Sequence, residues 1–331
     1  MSIDWHCHWL PPTLAEALRA RVTAPRIVAG PKGERLEVYR ESLPVGLDLT
    51  EIDRRLAFMD RHGVETQVLS LPGLFGIDSL PVDEAAPLVR AFNDALAETI
   101  AGQPGRFAGF ATIPLADATA AVSELQRVLA RPGFVGVILP VDGFQTLAHT
   151  QALAPILETA DAMAAHIFIH PGPMPGAGVG TVERDNDNMR HIVLDVQARL
   201  SSVVVTLAMT NFLETYPRLT VQVANLGGAI PFLVERMDHV SSVRTPEAPL
   251  PSSRFGRLYV DTASFGPRAI ALAAEVFGRE RVLLGTDCPI FETGRTLEAL
   301  RSSGLPATDI TAILKGNGAT LLRPWPKARS G

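Results

Sequence analysis

The sequence predicts an α/β protein with a (β/α)8 barrel, the TIM-barrel fold. Eight short apolar segments of strand length alternate with longer amphipathic segments of helical length along the 331 residues, as is typical of parallel βαβ units. No G-x-G-x-x-G motif and no P-loop follows the first apolar segment, which argues against an open dinucleotide-binding sheet. Eight units favour closure of the sheet into a barrel. We therefore expect a single domain over residues 1–331.

Hydrophobic periodicity predicts the elements in chain order. The strands are expected at residues 3–8, 66–71, 107–113, 134–139, 166–170, 220–225, 257–262 and 281–287. The helices are expected at residues 48–62, 82–101, 117–130, 148–164, 190–216, 230–243, 268–277 and 292–300. In the first of these helices Leu49, Leu56 and Met59 fall on one face. Asp83 and Asp117 are candidates for helix N-caps.

Residues 23–46 do not fit the repeat of strands and helices. Two short runs, RIVAG and ERLEVYR, flank a turn of sequence GPKG, and this pattern predicts a small β-hairpin insertion after the first strand. Loops that follow barrel strands gather at the end of the barrel where active sites lie. We therefore expect the insertion to lie over the barrel mouth.

The composition restricts the class of partner. The net charge is −5 and the charged residues make up 20% of the chain, which gives no support for a nucleic-acid partner. No uninterrupted apolar run reaches the roughly 18–20 residues that a membrane span requires, so no membrane association is expected. Two cysteines, Cys7 and Cys288, are too few for a disulfide scaffold, and no signal-peptide pattern begins the sequence. These features predict a cytoplasmic protein.

The first strand carries an H-x-H motif. Side chains alternate along a strand, so His6 and His8 are expected on one face and Cys7 on the other. Both histidines lie near the carboxyl end of the strand, where barrel enzymes keep their active sites. By itself, an H-x-H motif can arise by chance, and its position at a strand end is what favours metal binding.

Two further residues complete a candidate metal site. His170 ends the fifth predicted strand, and Asp287 follows the apolar end of the eighth. A carboxylate in that position is costly unless it is paired or bound to a metal. His166 lies at the opposite end of the fifth strand and is interpreted as structural. Three imidazoles and one carboxylate suit Zn²⁺ or a similar divalent ion, with a coordination position left open for water or substrate.

These motifs resemble the amidohydrolase superfamily. They are H-x-H on the first strand, H-P-G at His170, N-L-G-G-A-I-P-F-L-V-E-R-M from Asn225, L-L-G-T-D-C-P ending at Pro289, and R-x-x-x-M-D-x-x-G-V over residues 55–64. More narrowly, the chain is similar to the amidohydrolase-2 branch, which includes aminocarboxymuconate-semialdehyde and γ-resorcylate decarboxylases. The resemblance covers nearly the whole chain.

The resemblance implies a metal centre and an assembly. It implies that His6, His8, His170 and Asp287 hold one divalent metal ion per subunit, most often Zn²⁺, with Mn²⁺ as the other possibility. It also implies a homodimer. One position departs from the pattern, because Asn225 stands where such decarboxylases have a histidine near the metal. An amide cannot act as a general base near neutral pH, so a mechanism with a base at this position is in doubt.

Two arginines have alternative interpretations. Arg244 matches a family arginine that reaches a substrate carboxylate, in some members within the partner subunit, and its alternative is a solvated charge at a helix end. Arg55 is interpreted as a member of a structural ion pair. Cys288 is interpreted as a packing residue, since no base adjoins it in the sequence.

The leading functional hypothesis is metal-dependent, non-oxidative decarboxylation of a small aromatic or unsaturated carboxylic acid. Asp287 would then protonate the carbon that loses CO₂, and Asn225 would orient the substrate or a water molecule. The alternative is a metal-dependent hydrolase or hydratase that attacks a lactone, amide or C–C bond with metal-activated water. A third possibility is a barrel that binds metal and ligand without turnover.

Overall fold

Eight parallel strands form a barrel in the computed structural model, which describes residues 2–38, 42–177, 185–186 and 188–322. The strands in chain order are β1 (Ser2–His8), β2 (Arg26–Gly30), β3 (Gly33–Glu37), β4 (Ser42–Pro44), β5 (Val64–Ser70), β6 (Phe107–Ala111), β7 (Phe134–Pro140), β8 (His166–His170), β9 (Thr220–Val223), β10 (Leu258–Asp261) and β11 (Val282–Leu283). The barrel sheet has the order β1-β5-β6-β7-β8-β9-β10-β11. The predicted (β/α)8 fold is therefore confirmed.

Hydrogen bonds between the first and last strands close the barrel. The backbone N–H of Trp5 donates to the carbonyl of Leu284 at 2.8 Å, and that of Asp287 donates to the carbonyl of His6 at 2.7 Å. The N–H of His8 donates to Cys288 at 2.7 Å. The regular part of β11 is shorter than the predicted strand at residues 281–287, because the chain beyond Leu283 meets β1 through these individual bonds.

The helices are α1 (Pro12–Arg19), α2 (Leu47–Thr50), α3 (Ile52–His62), α4 (Val82–Gly102), α5 (Ala118–Leu129), α6 (Leu147–Ala152), α7 (Ala154–Ala162), α8 (Val196–Met209), α9 (Phe212–Thr215), α10 (Ile230–Arg244), α11 (Pro267–Phe277), α12 (Thr293–Arg301), α13 (Ala307–Thr311) and α14 (Asn317–Ala319). Two π-helical segments, Asn188–Asp195 and Ala312–Gly316, precede α8 and α14. The predicted cap at Asp117 is confirmed, since its side chain accepts the N–H of Ala120.

Three predicted helices are interrupted. The helix expected at residues 48–62 breaks at Glu51, whose ψ of 119° is extended. The helix expected at residues 148–164 divides at Leu153, two residues before Pro155, which has no N–H to donate. The helix expected at residues 190–216 divides at Thr210, whose ψ is −174°. Hydrophobic periodicity continues across such breaks, so periodicity alone does not locate them.

The insertion is a three-stranded antiparallel sheet of order β2-β3-β4. The predicted hairpin corresponds to β2 and β3, which pair from Arg26 opposite Glu37 to Gly30 opposite Gly33. The strand β4 was not predicted, because its three residues, SLP, are too short to show a periodic pattern. The buried side chains of Ile27 and Leu36 join the core. Residues 39 and 40, the end of the predicted second run, lie outside the described residues.

One helical stretch of the described chain is long and apolar enough to cross a membrane by length and composition alone. It covers Met189–Met209, with a mean hydropathy of 1.6, and 39% of that window is buried. Its buried side chains include Leu200, Val203 and Leu207, and α8 packs against β9. This stretch is therefore a barrel helix with one side in the core and another side exposed.

Candidate metal centre

The H-x-H motif lies at the carboxyl end of β1, as predicted. His6 and His8 are 0% and 1% exposed, and their rings lie 5.1 Å apart between centroids. Cys7, between them, has its thiol near the carbonyl oxygen of Val68 at 3.3 Å. The two imidazoles are thus presented together while the intervening side chain packs against β5.

His170 and Asp287 join these two histidines. The rings of His6 and His8 lie 5.0 and 4.7 Å from that of His170. An oxygen of Asp287, Oδ1, lies 3.1 Å from His8 Nε2 and 3.5 Å from His6 Nε2. One donor atom from each of the four residues falls within 4.8 Å of every other. The structure therefore brings the four predicted ligands together in one metal-binding site.

The other ring nitrogen of each histidine has a partner outside the cluster. The Nδ1 atom of His6 meets Asp261 Oδ1 at 3.0 Å, that of His8 meets Ser70 Oγ at 3.0 Å, and that of His170 meets the carbonyl of Pro171 at 3.0 Å. In contrast, His6 Nε2, His8 Nε2 and Asp287 Oδ1 lie close to one another but are buried without forming a hydrogen bond. Buried polar atoms without partners are costly, and a divalent ion would satisfy all three, so these residues fit a metal.

Asp261 anchors His6 and was missed in the sequence. This carboxylate is fully buried at the end of β10, and it accepts hydrogen bonds from Gln222 Nε2 at 2.7 Å and from the N–H groups of Ala263 and Asn225 at 3.1 and 3.3 Å. A carboxylate behind a ligand histidine fixes its orientation and strengthens its basicity. The signal was available, because an acid ends an apolar strand here just as Asp287 follows one.

The electrostatics of the cluster are those of a cation site. Burial lowers the pKa of His6, but the carboxylates of Asp261 and Asp287 raise it to about 9 overall. Burial and the neighbouring imidazoles hold the pKa values of His8 and His170 well below their usual range. Burial raises the pKa of Asp287, although nearby imidazoles oppose it. The cluster therefore favours positive charge, which a divalent ion would supply in place of a proton.

Asn225 begins a tight turn directly after β9. It is 9% exposed and has a positive φ of 54°, a region in which asparagine is tolerated better than most residues. Its N–H donates to Asp261, while the amide oxygen Oδ1 is buried without a partner. The asparagine is thus connected to the metal ligand His6 through Asp261, and its amide oxygen is free to accept a hydrogen bond.

Arg244 is the last residue of α10, and its side chain is exposed. His166 is separate from the metal cluster, since its nitrogens meet Thr220 Oγ1 at 2.7 Å and Gln222 Oε1 at 3.3 Å. This position agrees with a structural role for His166.

Two expectations about neighbouring residues have different outcomes. Cys288 is buried, and burial raises the pKa of its thiol, as suits a packing residue. The ion pair expected for Arg55 was wrong. Within residues 2–38, 42–177, 185–186 and 188–322, the groups that accept its hydrogen bonds are two backbone carbonyls, an amide and a thiol. Sequence alone could not reveal this, because backbone carbonyl acceptors leave no sequence signal and Cys288 lies 233 positions from Arg55.

Comparison with known proteins places this centre in a family. The chain is 29% identical over 293 residues to γ-resorcylate decarboxylase from Polaromonas sp., covering 82% of this chain and 87% of that protein. It is 25% identical over 280 residues to 2-amino-3-carboxymuconate-6-semialdehyde decarboxylase from Dictyostelium discoideum, covering 82% and 76%.

Solved structures agree on the fold. The 5-carboxyvanillate decarboxylase from Sphingomonas paucimobilis superposes with a TM-score of 0.78 at 24% identity, covering 97% of this chain and 98% of that one. The IDCase from Metarhizium anisopliae gives 0.81 at 20% identity, covering 97% and 96%. The family model described as amidohydrolase matches residues 3–323. This chain therefore belongs to the amidohydrolase family.

Proposed function

We propose that the protein is a metal-dependent, non-oxidative decarboxylase of a small aromatic or unsaturated carboxylic acid. The observation that carries the proposal is the convergence of three imidazoles and Asp287 on one buried point, with unpartnered Nε2 and carboxylate atoms facing it. The decarboxylases that cover 82% of this chain support the same reaction class. Every ligand lies at or just beyond the carboxyl end of a barrel strand, where catalytic residues of such barrels occur.

The reaction balances with one proton. The bond between the carboxyl carbon and the ring or vinyl carbon breaks, CO₂ leaves, and the electron pair that remains on carbon takes up the proton. When bound, a divalent ion supplies Lewis-acid stabilisation for the carboxylate and for the charge that develops as the bond breaks. His6, His8, His170 and Asp287 would hold that ion.

Asp287 is the residue we assign to proton delivery. Its side chain retains 12% exposure, whereas those of His6 and His8 retain 1%. The carboxyl group therefore lies on the open side of the cluster, where a substrate carbon can approach. A positive φ of 57° at Asp287 directs the chain back across the end of β1.

Asn225 takes an orienting role. Its buried amide oxygen has no protein partner, so it can accept a hydrogen bond from a substrate hydroxyl or from a water molecule. Since an amide neither gains nor loses a proton near neutral pH, proton transfer is left to Asp287. Truncation of Asn225 to alanine should therefore weaken substrate binding more than it changes the metal content.

Zinc is the metal that we propose, with manganese as the alternative. Three imidazole nitrogens and one carboxylate oxygen form a ligand set that Zn²⁺ accepts readily, and Mn²⁺ tolerates it as well. Dihydroxybenzoate decarboxylase from Polaromonas sp. was crystallised with manganese.

Two free, buried cysteines are compatible with the cytoplasmic location that we propose.

A homodimer is supported by an apolar surface on α10. Phe232, Val240 and Val243 are 83%, 41% and 69% exposed, and their spacing places them on one side of the helix. Met189 and Leu194 on the π-helical segment Asn188–Asp195 are also exposed, at 60% and 61%. A second copy of the chain would cover this surface. Sedimentation of wild type and Phe232→Glu tests this, with a dimer expected for the former and a monomer for the latter.

Arg244 ends the helix that carries this surface. We propose that it contacts the substrate carboxylate in the metal centre of the partner subunit, because it is exposed and lies at the end of the helix with the proposed dimer surface. Arg244→Met should then raise KM by roughly 10–100-fold with little change in metal content. Mixing Arg244→Met subunits with inactive Asp287→Asn subunits should restore part of the activity, which a contact within one subunit could not do.

A panel assay separates the reaction classes. The metal-loaded protein is incubated with hydroxybenzoates and unsaturated carboxylic acids, with CO₂ release followed in parallel with lactone and amide hydrolysis. CO₂ release that requires both metal and Asp287 supports the proposal, whereas hydrolysis without CO₂ release favours the metal-dependent hydrolase. Metal below about 0.2 ions per chain after growth with zinc and manganese would contradict the metal centre itself. Stoichiometric metal without turnover would point to a ligand-binding barrel.

A further inference from the structure

Arg55 lies behind the metal centre in a neutral setting. It belongs to α3, and only 2% of its surface is exposed. Its Nη2 donates to the carbonyl of the metal ligand His8 at 2.5 Å and to that of Asp48 at 3.1 Å. Its Nη1 donates to Gln67 Oε1 at 3.1 Å and reaches Cys288 Sγ at 3.9 Å. One guanidinium thus contacts β1, β5 and the segment after Asp287.

The cost of burying this charge is substantial. Transfer of a cation from water to a protein interior costs several kcal/mol unless an anion compensates it. In the part of the chain that the structure describes, no carboxylate forms an ion pair with Arg55, and its Nε has no partner. An uncharged side chain could fill the same space at lower cost. Folding stability therefore does not explain the buried charge of Arg55. Its hydrogen bonds, which hold the neighbouring backbone segments in place, explain it better.

Asp4 extends the contacts of Arg55 to the backbone around Asp287. Gln67 connects the two, since its Nε2 donates to Asp4 Oδ2 at 3.2 Å. The N–H and hydroxyl of Thr286 donate to Asp4 at 3.0 and 2.7 Å, and the N–H of His6 donates to it at 3.3 Å. Arg55, Gln67 and Asp4 therefore form one buried network, which we call the Arg55 network. It joins the backbone of the strand with His6 and His8 to the backbone beside Asp287.

Packing alone does not fix these segments. A cavity of about 240 Å³ adjoins Arg55 and is bounded by Phe58, Cys288, Ile290 and Phe291, among others. Ile290 and Phe291 are 47% and 45% exposed. Because apolar contacts on this side are incomplete, directional hydrogen bonds are needed to hold the segment after Asp287 in register. Charge-assisted bonds from a guanidinium are shorter and stronger than neutral ones and suit this task.

We infer that Arg55 is a positioning residue for the metal centre, which fixes the distance between His8 and Asp287 through the Arg55 network. His8 Nε2 and Asp287 Oδ1 must converge within 3.1 Å, and each belongs to a different segment held by the same guanidinium. The inference rests on the metal centre and not on the substrate or reaction. A failure of the proposed decarboxylation would therefore leave this inference unaffected.

Metal affinity of matched arginine variants tests the inference. Apo-protein of wild type, Arg55→Met, Arg55→Lys and Arg54→Met is titrated with Zn²⁺ and Mn²⁺ against a competing chelator. Arg54 is the control, because it is adjacent in sequence and its side chain is 54% exposed. We expect Arg55→Met to weaken binding by roughly 10–100-fold, as loss of a supporting group behind a ligand does. Arg55→Lys should recover part of the affinity, and Arg54→Met should stay within about twofold.

A second measurement separates positioning from folding. The visible absorption of the Co²⁺-loaded protein reports ligand geometry, and it should change in Arg55→Met but not in Arg54→Met. The Tm of each apo-protein reports loss of general stability. Wild-type affinity and spectrum in Arg55→Met would overturn the inference. The inference would also be overturned if the metal affinities of Arg55→Lys and Arg55→Met fell equally and only in proportion to the loss of apo-protein stability. If Arg55→Met does not fold, Arg55→Lys carries the same two measurements against Arg54→Lys. A wild type that binds no metal would overturn the centre as well.

Discussion

Substitution of Asp261 by asparagine removes a charge behind the metal ligand His6 with almost no change in shape. In the structure two carboxylate oxygens accept four hydrogen bonds, with Oδ1 serving His6, Asn225 and Ala263 and Oδ2 serving Gln222. Asparagine offers one oxygen and one NH₂ group. Whichever way the amide turns, its NH₂ meets a donor, so at least one buried donor loses its partner.

The magnitude has two parts. A buried donor without a partner costs about 1–3 kcal/mol of folding free energy. Loss of the carboxylate also leaves His6 a weaker and less firmly oriented ligand, and such changes lower metal affinity by roughly 10–100-fold, or about 1.4–2.8 kcal/mol. We expect the larger functional effect in metal binding, since Asp261 contacts the ligand ring directly.

The assay is a metal titration of apo-protein against a chelator, with urea unfolding of the same samples. Asp117→Asn is the matched control, because that carboxylate is exposed and serves only as the N-cap of α5. Its metal affinity should equal that of the wild type. The reasoning would be refuted if Asp261→Asn bound Zn²⁺ within about twofold of the wild-type affinity while remaining folded.

The remaining predictions concern the metal, a buried acid and the amide. Removal of the metal with a chelator should lower Tm by roughly 5–10 °C, since a ligand at about 1,000 times its Kd stabilises by about 4 kcal/mol; an unchanged Tm in differential scanning calorimetry would contradict this. Burial raises the pKa of Asp78 from 3.8 to about 7, so the unfolded chain loses this proton at lower pH than the folded protein. Stability should therefore fall between about pH 4 and pH 7, by up to roughly 4 kcal/mol, and Asp78→Asn should remove most of that slope in urea unfolding at pH 5 and pH 8. Asn225→His should add a group that titrates near pH 6.5 to the pH–rate profile for CO₂ release, and an unaltered profile would show that this position does not contact the substrate. A large gain in rate would instead indicate that asparagine limits turnover in the wild type.

Local pattern determined most of the barrel. Strand-length apolar runs and helical periodicity are properties of neighbouring residues, and the strand predicted at residues 166–170 coincides with β8 (His166–His170). Breaks such as Glu51 escaped prediction, because they depend on backbone angles that leave the periodic pattern intact. The ligands His6, His8, His170 and Asp287 could be found for a related reason: polar residues at the ends of buried strands stand out against the apolar residues before them.

Only the tertiary structure decided which residues support that site. Asp261 and His6 are 255 positions apart in sequence, and Arg55 and Cys288 are 233 apart. No local pattern encodes such pairs, since they arise when the barrel closes and the first and last strands hydrogen-bond. Barrel closure also places Arg55 next to neutral hydrogen-bond acceptors, whereas an ion pair was expected. The sequence by itself determined the fold and the ligand types, because periodicity predicts the strands and polar residues at the strand ends indicate the ligands. The tertiary structure decided how the ligands are oriented, because orientation depends on contacts between distant segments.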